Sequence, residues 1–132
     1  MKFFDKDSTL ICILHKLDDW NKGLDFITDD KAPVQMGTWW YDKGKCLDRH
    51  YHNKFNRTSN ITGECVVVLS GSMKVDLYDN DQILINSFNM YSGDTAIFLD
   101  GGHGYFIRED NTKIIESKNG PYLGVQRDKT RF

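Results

Sequence analysis

The sequence predicts a single-domain, all-β protein of about ten short strands. Apolar residues fall in runs of about four to eight with no helical spacing. Turn-forming clusters rich in Gly, Asp, Asn and Ser separate those runs. The 132 residues suit one hydrophobic core, and no repeat, linker or low-complexity stretch marks a boundary, so residues 1–132 read as one domain.

In chain order the strand candidates are Thr9–His15, Val34–Tyr41, Lys45–His52, Gly63–Ser70, Ser72–Tyr78, Gln82–Ser87, Asp94–Leu99, Gly104–Arg108, Thr112–Lys118 and Tyr122–Gln126. The turns between the later ones are Ser70-Gly71-Ser72, Asp79-Asn80-Asp81, Ser92-Gly93-Asp94, Asp100-Gly101-Gly102, Glu109-Asp110-Asn111 and Asn119-Gly120-Pro121. Such short connections favour antiparallel neighbours, and many strands without intervening helices suggest a sandwich or a small barrel. Residues 16–33 carry no clear period. Asp18-Asp19-Trp20-Asn21 opens a short helix there or forms an irregular lead into the sheet.

Seventeen Lys and Arg against nineteen Asp and Glu give a net charge of −2, which offers no overall positive field to hold nucleic acid or an anionic membrane. Hydrophobic residues at 39% and aromatics at 13% exceed what a disordered chain carries, and no apolar run approaches the roughly 18–20 residues of a membrane span. Cys12, Cys46 and Cys65 form an odd set without C-x-x-C spacing, which speaks against a disulfide framework and a thiolate zinc site. The short, acid-flanked stretch Leu10–Leu14 does not read as a secretory signal, so the expected location is cytoplasmic and the sequons at Asn56 and Asn60 are loop composition.

Only four histidines occur, yet two stand as His50-Tyr51-His52, where i and i+2 share a strand face roughly 7 Å apart. Two imidazoles so placed converge on one ion; the blander reading is a solvent-facing pair. A hairpin brings Glu64 beside them, and His103 after the Asp100-Gly101-Gly102 turn supplies a third imidazole. Three nitrogens and one oxygen suit one divalent transition metal (Fe, Mn, Zn, Ni or Co) and leave octahedral positions open for substrate. Cys46 and Asp48 share the parity of the two histidines, as a small core thiol and as a residue tuning a histidine or lying at a rim. His15 has no partner at ligand spacing and reads as a strand or surface residue.

These residues resemble the cupins, small β-barrels whose first motif is G-x5-H-x-H-x3-4-E-x6-G. Gly44 is followed by five residues, His50-x-His52, then Glu64, six residues and Gly71; the gap from His52 to Glu64 is eleven residues rather than three or four. The second motif, G-x5-P-x-G-x2-H-x3-N, matches at Gly93 and Gly101, with Leu99 in place of proline, His103 one residue early and Ile107 where asparagine is usual. The resemblance implies a double-stranded β-helix of jelly-roll type, with His50, His52, Glu64 and His103 as metal ligands at one end of the barrel.

Around that site, Trp39, Tyr41, Tyr105 and Phe106 read as barrel packing or cavity lining. Glu116 and Lys118 share a strand face before the Gly120-Pro121-Tyr122 turn, as a surface ion pair or as pocket lining. Tyr105, Glu116, Lys118 and Tyr122 are therefore the candidate catalytic pocket residues, with Arg49, Arg57 and Arg108 available to an anionic group. A weaker resemblance to cupins of polysaccharide biosynthesis points to a metal-dependent sugar or nucleotide-sugar isomerase or epimerase. A non-catalytic module binding metal and a small ligand, and an iron-dependent dioxygenase, are the alternatives. The expected partners are a small molecule and a second copy in a homodimer, which would cover an exposed barrel edge.

Overall fold

The computed structural model describes residues 1–132 and is built almost wholly of antiparallel strands. They are β1 (Lys2–Phe4), β2 (Leu10–His15), β3 (Gly23–Phe26), β4 (Gly37–Trp40), β5 (Glu64–Ser70), β6 (Ser72–Tyr78), β7 (Leu84–Tyr91), β8 (Thr95–Phe98), β9 (Gly102–Ile107) and β10 (Lys113–Lys118). Helix is confined to a 3-10 turn at Leu17–Asp19 and one turn, α1, at Val125–Asp128. A five-stranded sheet runs β1-β2-β8-β5-β10, a three-stranded sheet β7-β6-β9, and β3 pairs with β4 alone. No helix is long and apolar enough to cross a membrane.

The main core lies between the five-stranded and the three-stranded sheets. Ile11, Leu14, Val66 and Val68 from the first meet Met73, Val75, Leu77 and Met90 from the second, all nearly or fully excluded from water. A smaller cluster, Ile13, Cys65 and Ile97, occupies the opposite face of the five-stranded sheet under Ile27, Val34 and Met36. That double coverage explains why β2 and β8 read as continuous apolar runs rather than alternating ones.

Two glycines are dictated by the turns. Gly71 adopts φ +75° between β5 and β6, and a Cβ there would lie 2.2 Å from the Thr112 hydroxyl oxygen. Gly101 at φ +64° carries the chain from β8 into β9, and a Cβ would lie 2.4 Å from the Tyr78 carbonyl oxygen.

The structure departs from the expected strands at both ends of the motif region. Lys45–His52 is not a strand: no regular structure occurs between β4 and β5, and residues 39–62 are exposed throughout. The segment has no apolar stripe to bury, because one parity carries Cys46, Asp48, His50 and His52 and the other mixes charges with Leu47 and Tyr51. Tyr122–Gln126 is likewise not a strand, since Gly124 at φ +98° breaks it and the chain turns into α1. Of Asp18–Asn21, Asp18 and Asp19 lie in the 3-10 turn, whose start has the Lys16 amide donating to the Asp19 carboxylate at 2.9 Å, while Trp20 is already extended and Asn21 lies in the irregular lead to β3. Strands β1 and β3 are additional, short elements whose charged surroundings hid them.

Candidate functional site

The register of the sheets assembles a polar cluster at one end of the core. On β5 the residues of one parity, Glu64, Val66 and Val68, are buried, with Val66 and Val68 in the main core, so Glu64 continues that column with a carboxylate. Glu64 pairs with Lys118 of β10 on one side and Phe98 of β8 on the other. From the facing sheet, His103 and Tyr105 of β9 lie over Phe98, with ring centroids 4.3 and 5.7 Å from it.

Glu64 is 3% exposed and is contacted on both oxygens. The Tyr105 hydroxyl donates to Oε1 at 2.7 Å, the Lys118 ammonium donates to Oε2 at 3.3 Å, and His103 Nε2 stands 3.5 Å from Oε1. Lys118 is held from the other side by Glu116 at 2.7 Å, and Glu116 is the more open of the pair. The ion-pair reading of Glu116 and Lys118 is thus realised beside a buried carboxylate rather than on an isolated surface.

Burial by itself pushes the Glu64 carboxyl up; hydrogen bonds from His103 and Tyr105 and the positive potential of His103 and Lys118 outweigh it and hold the group at about 2. Burial, and then the adjacent Glu64 carboxylate, push the Tyr105 hydroxyl well above the usual phenol range, so it remains a donor. The Glu116 hydrogen bond, reinforced by Glu64 and opposed by burial, keeps the Lys118 ammonium above its usual range. The site is therefore a fixed carboxylate carrying a phenol, an ammonium and an imidazole whose Nδ1 is buried without a partner.

The expected metal ligands are divided between two places. Glu64 and His103 meet as described, whereas His50 and His52 sit together on the exposed segment, rings 5.3 Å apart, with the Asp48 carbonyl 3.0 Å from His50 Nδ1. No group of three or more His, Cys, Asp or Glu converges at metal-holding distance. Cys46 and Asp48 are exposed on the same segment, not in the core or at a histidine's back. His15, read as strand or surface, is a buried strand residue, 8% exposed.

Among the aromatic candidates, Tyr105 alone reaches Glu64, through its hydroxyl, with the residue as a whole 40% exposed; Trp39, Tyr41 and Phe106 are exposed as well, and Trp39 borders a cavity. Tyr122 is 61% exposed on the irregular chain after β10. Arg49 and Arg57 lie on the exposed segment, and Arg108 lines a small cavity of about 260 Å³ with Ser72, Asn89, Tyr91 and Glu109.

Two contributors escaped the sequence reading. Phe98 is the platform for His103 and Tyr105, and only strand pairing reveals it. Asn119 ties the chain before Glu64, its side chain accepting from the Gly63 amide at 2.7 Å and donating to the Ile61 carbonyl at 3.2 Å. A cavity of about 580 Å³ lies elsewhere, lined by Trp20, Met36, Thr38, Trp39, Val67 and Leu69 among others, and shares no residue with the cluster. Comparison with protein-family models, curated proteins and solved structures finds no match for this chain.

Proposed function

We propose that this chain is a cupin-type protein that moves a proton within a small polar metabolite, an isomerase or epimerase of the sugar or nucleotide-sugar class, at the Glu64 cluster. The double-stranded β-helix reading is supported by strand order: β10-β5-β8 in one sheet and β9-β6-β7 in the other is the order produced when an antiparallel ribbon is wound back on itself. The observation that carries the functional reading is the buried Glu64 carboxylate holding Tyr105, Lys118 and His103, next to the open carboxylate of Glu116.

In this reading Glu64 stays ionised and positions its neighbours rather than reacting. Lys118 polarises a substrate carbonyl, and Glu116 takes the proton from the adjacent carbon as the electron pair moves onto that oxygen. Where the deprotonated carbon bears a hydroxyl, return of the proton to the former carbonyl carbon, with the hydroxyl proton passing to the former carbonyl oxygen, gives isomerisation; return to the opposite face of the same carbon gives epimerisation. Tyr105 and His103 form the wall against which the substrate lies.

The test is to incubate the chain in D2O with keto sugars and nucleotide-linked keto sugars and follow deuterium by NMR. Deuterium should enter at the carbon beside the carbonyl, at least about a hundredfold more slowly with Glu116→Gln. Binding without exchange would instead favour the non-catalytic module, for which the complete satisfaction of Glu64 by its neighbours is the supporting observation.

A further inference from the structure

We infer that Lys118 supplies the positive charge of this site in place of a metal ion, and that the Glu64–His103 pair takes no transition metal while Lys118 is present. A carboxylate and an imidazole 3.5 Å apart amount to half of a protein metal site, and the other half is missing here. His50 and His52 are on the exposed segment, and the third group at Glu64 is an ammonium, a cation rather than a donor.

Both carboxylate oxygens are engaged, Oε1 by the Tyr105 hydroxyl and Oε2 by Lys118. A metal on Oε2 would sit about 2 Å from an oxygen that already has the Lys118 ammonium 3.3 Å from it, and two like charges sharing one carboxylate oxygen repel. Lys118 cannot swing away freely, because Glu116 grips it at 2.7 Å from the other side. An ammonium has three N–H donors, and two carboxylates use two of them. The third is free for a substrate oxygen, the polarising task a metal performs as a Lewis acid. That last assignment, and with it a carbonyl-bearing substrate, rests on the proton-transfer reading; the exclusion of metal does not.

Cobalt(II) provides the test, titrated into metal-stripped protein and followed by visible absorbance and calorimetry, with folding checked by circular dichroism. All variants carry His50→Ala and His52→Ala, so that the exposed pair does not bind the probe. The parent chain should bind no cobalt at Glu64. Lys118→His, which exchanges the cation for a donor, should bind it at least tenfold more tightly, and adding Glu64→Gln should abolish the gain. Should Lys118→His not fold, Lys118→Gln must show a gain that likewise depends on Glu64. A parent chain that binds one cobalt through Glu64, or a folded Lys118 variant with no gain, overturns the inference. Failure of the proton-transfer reading would appear only as absent deuterium exchange and would leave this cobalt pattern intact.

Discussion

Glu64 concentrates the energetics at the level of single residues. A carboxylate 3% exposed is tolerable only because Tyr105, Lys118 and His103 replace the water it has lost. Glu64→Gln, which keeps the shape but removes the negative charge that the Tyr105 hydroxyl and the Lys118 ammonium face, should lower stability by about 1–3 kcal/mol in urea denaturation. The pH dependence follows from the same shift. The folded-state value of about 2 lies below the ordinary 4.5, so the unfolded chain binds the proton first as pH falls. The stabilisation, about 3 kcal/mol in full, is present above pH 4.5 and lost as pH drops toward 2, a loss that Glu64→Gln should remove from the stability profile. Gly71 is a second constraint of this size: Gly71→Ala forces a positive φ on a side chain and a clash with Thr112, and should cost at least about 2 kcal/mol.

The segment between β4 and β5 separates expectation from outcome among the elements. Its H-x-H pair has the spacing of strand ligands, yet spacing places side chains on one face only if a strand forms, and nothing apolar in Lys45–His52 drives that. Glu64, by contrast, was legible because it heads a run, Val66 and Val68, whose parity the core enforces. Two consequences are measurable. His50→Ala and His52→Ala should each change stability by less than about 0.5 kcal/mol, as exposed residues away from the core do. Of the three free thiols, Cys46 should react at once with a thiol reagent in the folded protein. Cys12 and Cys65 should wait for unfolding, since burial pushes both thiols up, Cys12 to about 12.

The whole molecule is a stack in which the five-stranded sheet is covered on both faces, by the three-stranded sheet on one and by the β3–β4 region on the other. The two coverings are unequal. The main core contains the large, fully buried Met73, Leu77 and Met90, whereas the outer cluster is small and borders the cavity of about 580 Å³. Leu77→Ala should therefore cost about 2–5 kcal/mol, and Met36→Ala, at the edge of the outer cluster, markedly less in the same denaturation assay. The cluster around Glu64 takes its rigidity from the first of these layers, because β9 pairs in full with the buried strand β6.

By itself the sequence determined the β class, the turns and most strand positions, since alternation, apolar runs and glycines at positive φ are local properties of the chain. It singled out Glu64 and His103 as metal ligands, which stand 3.5 Å apart in the structure, and placed Glu116 and Lys118 on one strand face, where they form an ion pair. Tertiary structure alone decided which of the proposed ligands meet. Antiparallel pairing set Lys118 beside Glu64, sheet stacking laid His103 and Tyr105 over Phe98, and the lack of a burying surface left His50 and His52 outside. Those are contacts between residues far apart in the chain, fixed by how the sheets bury their apolar faces rather than by any local pattern.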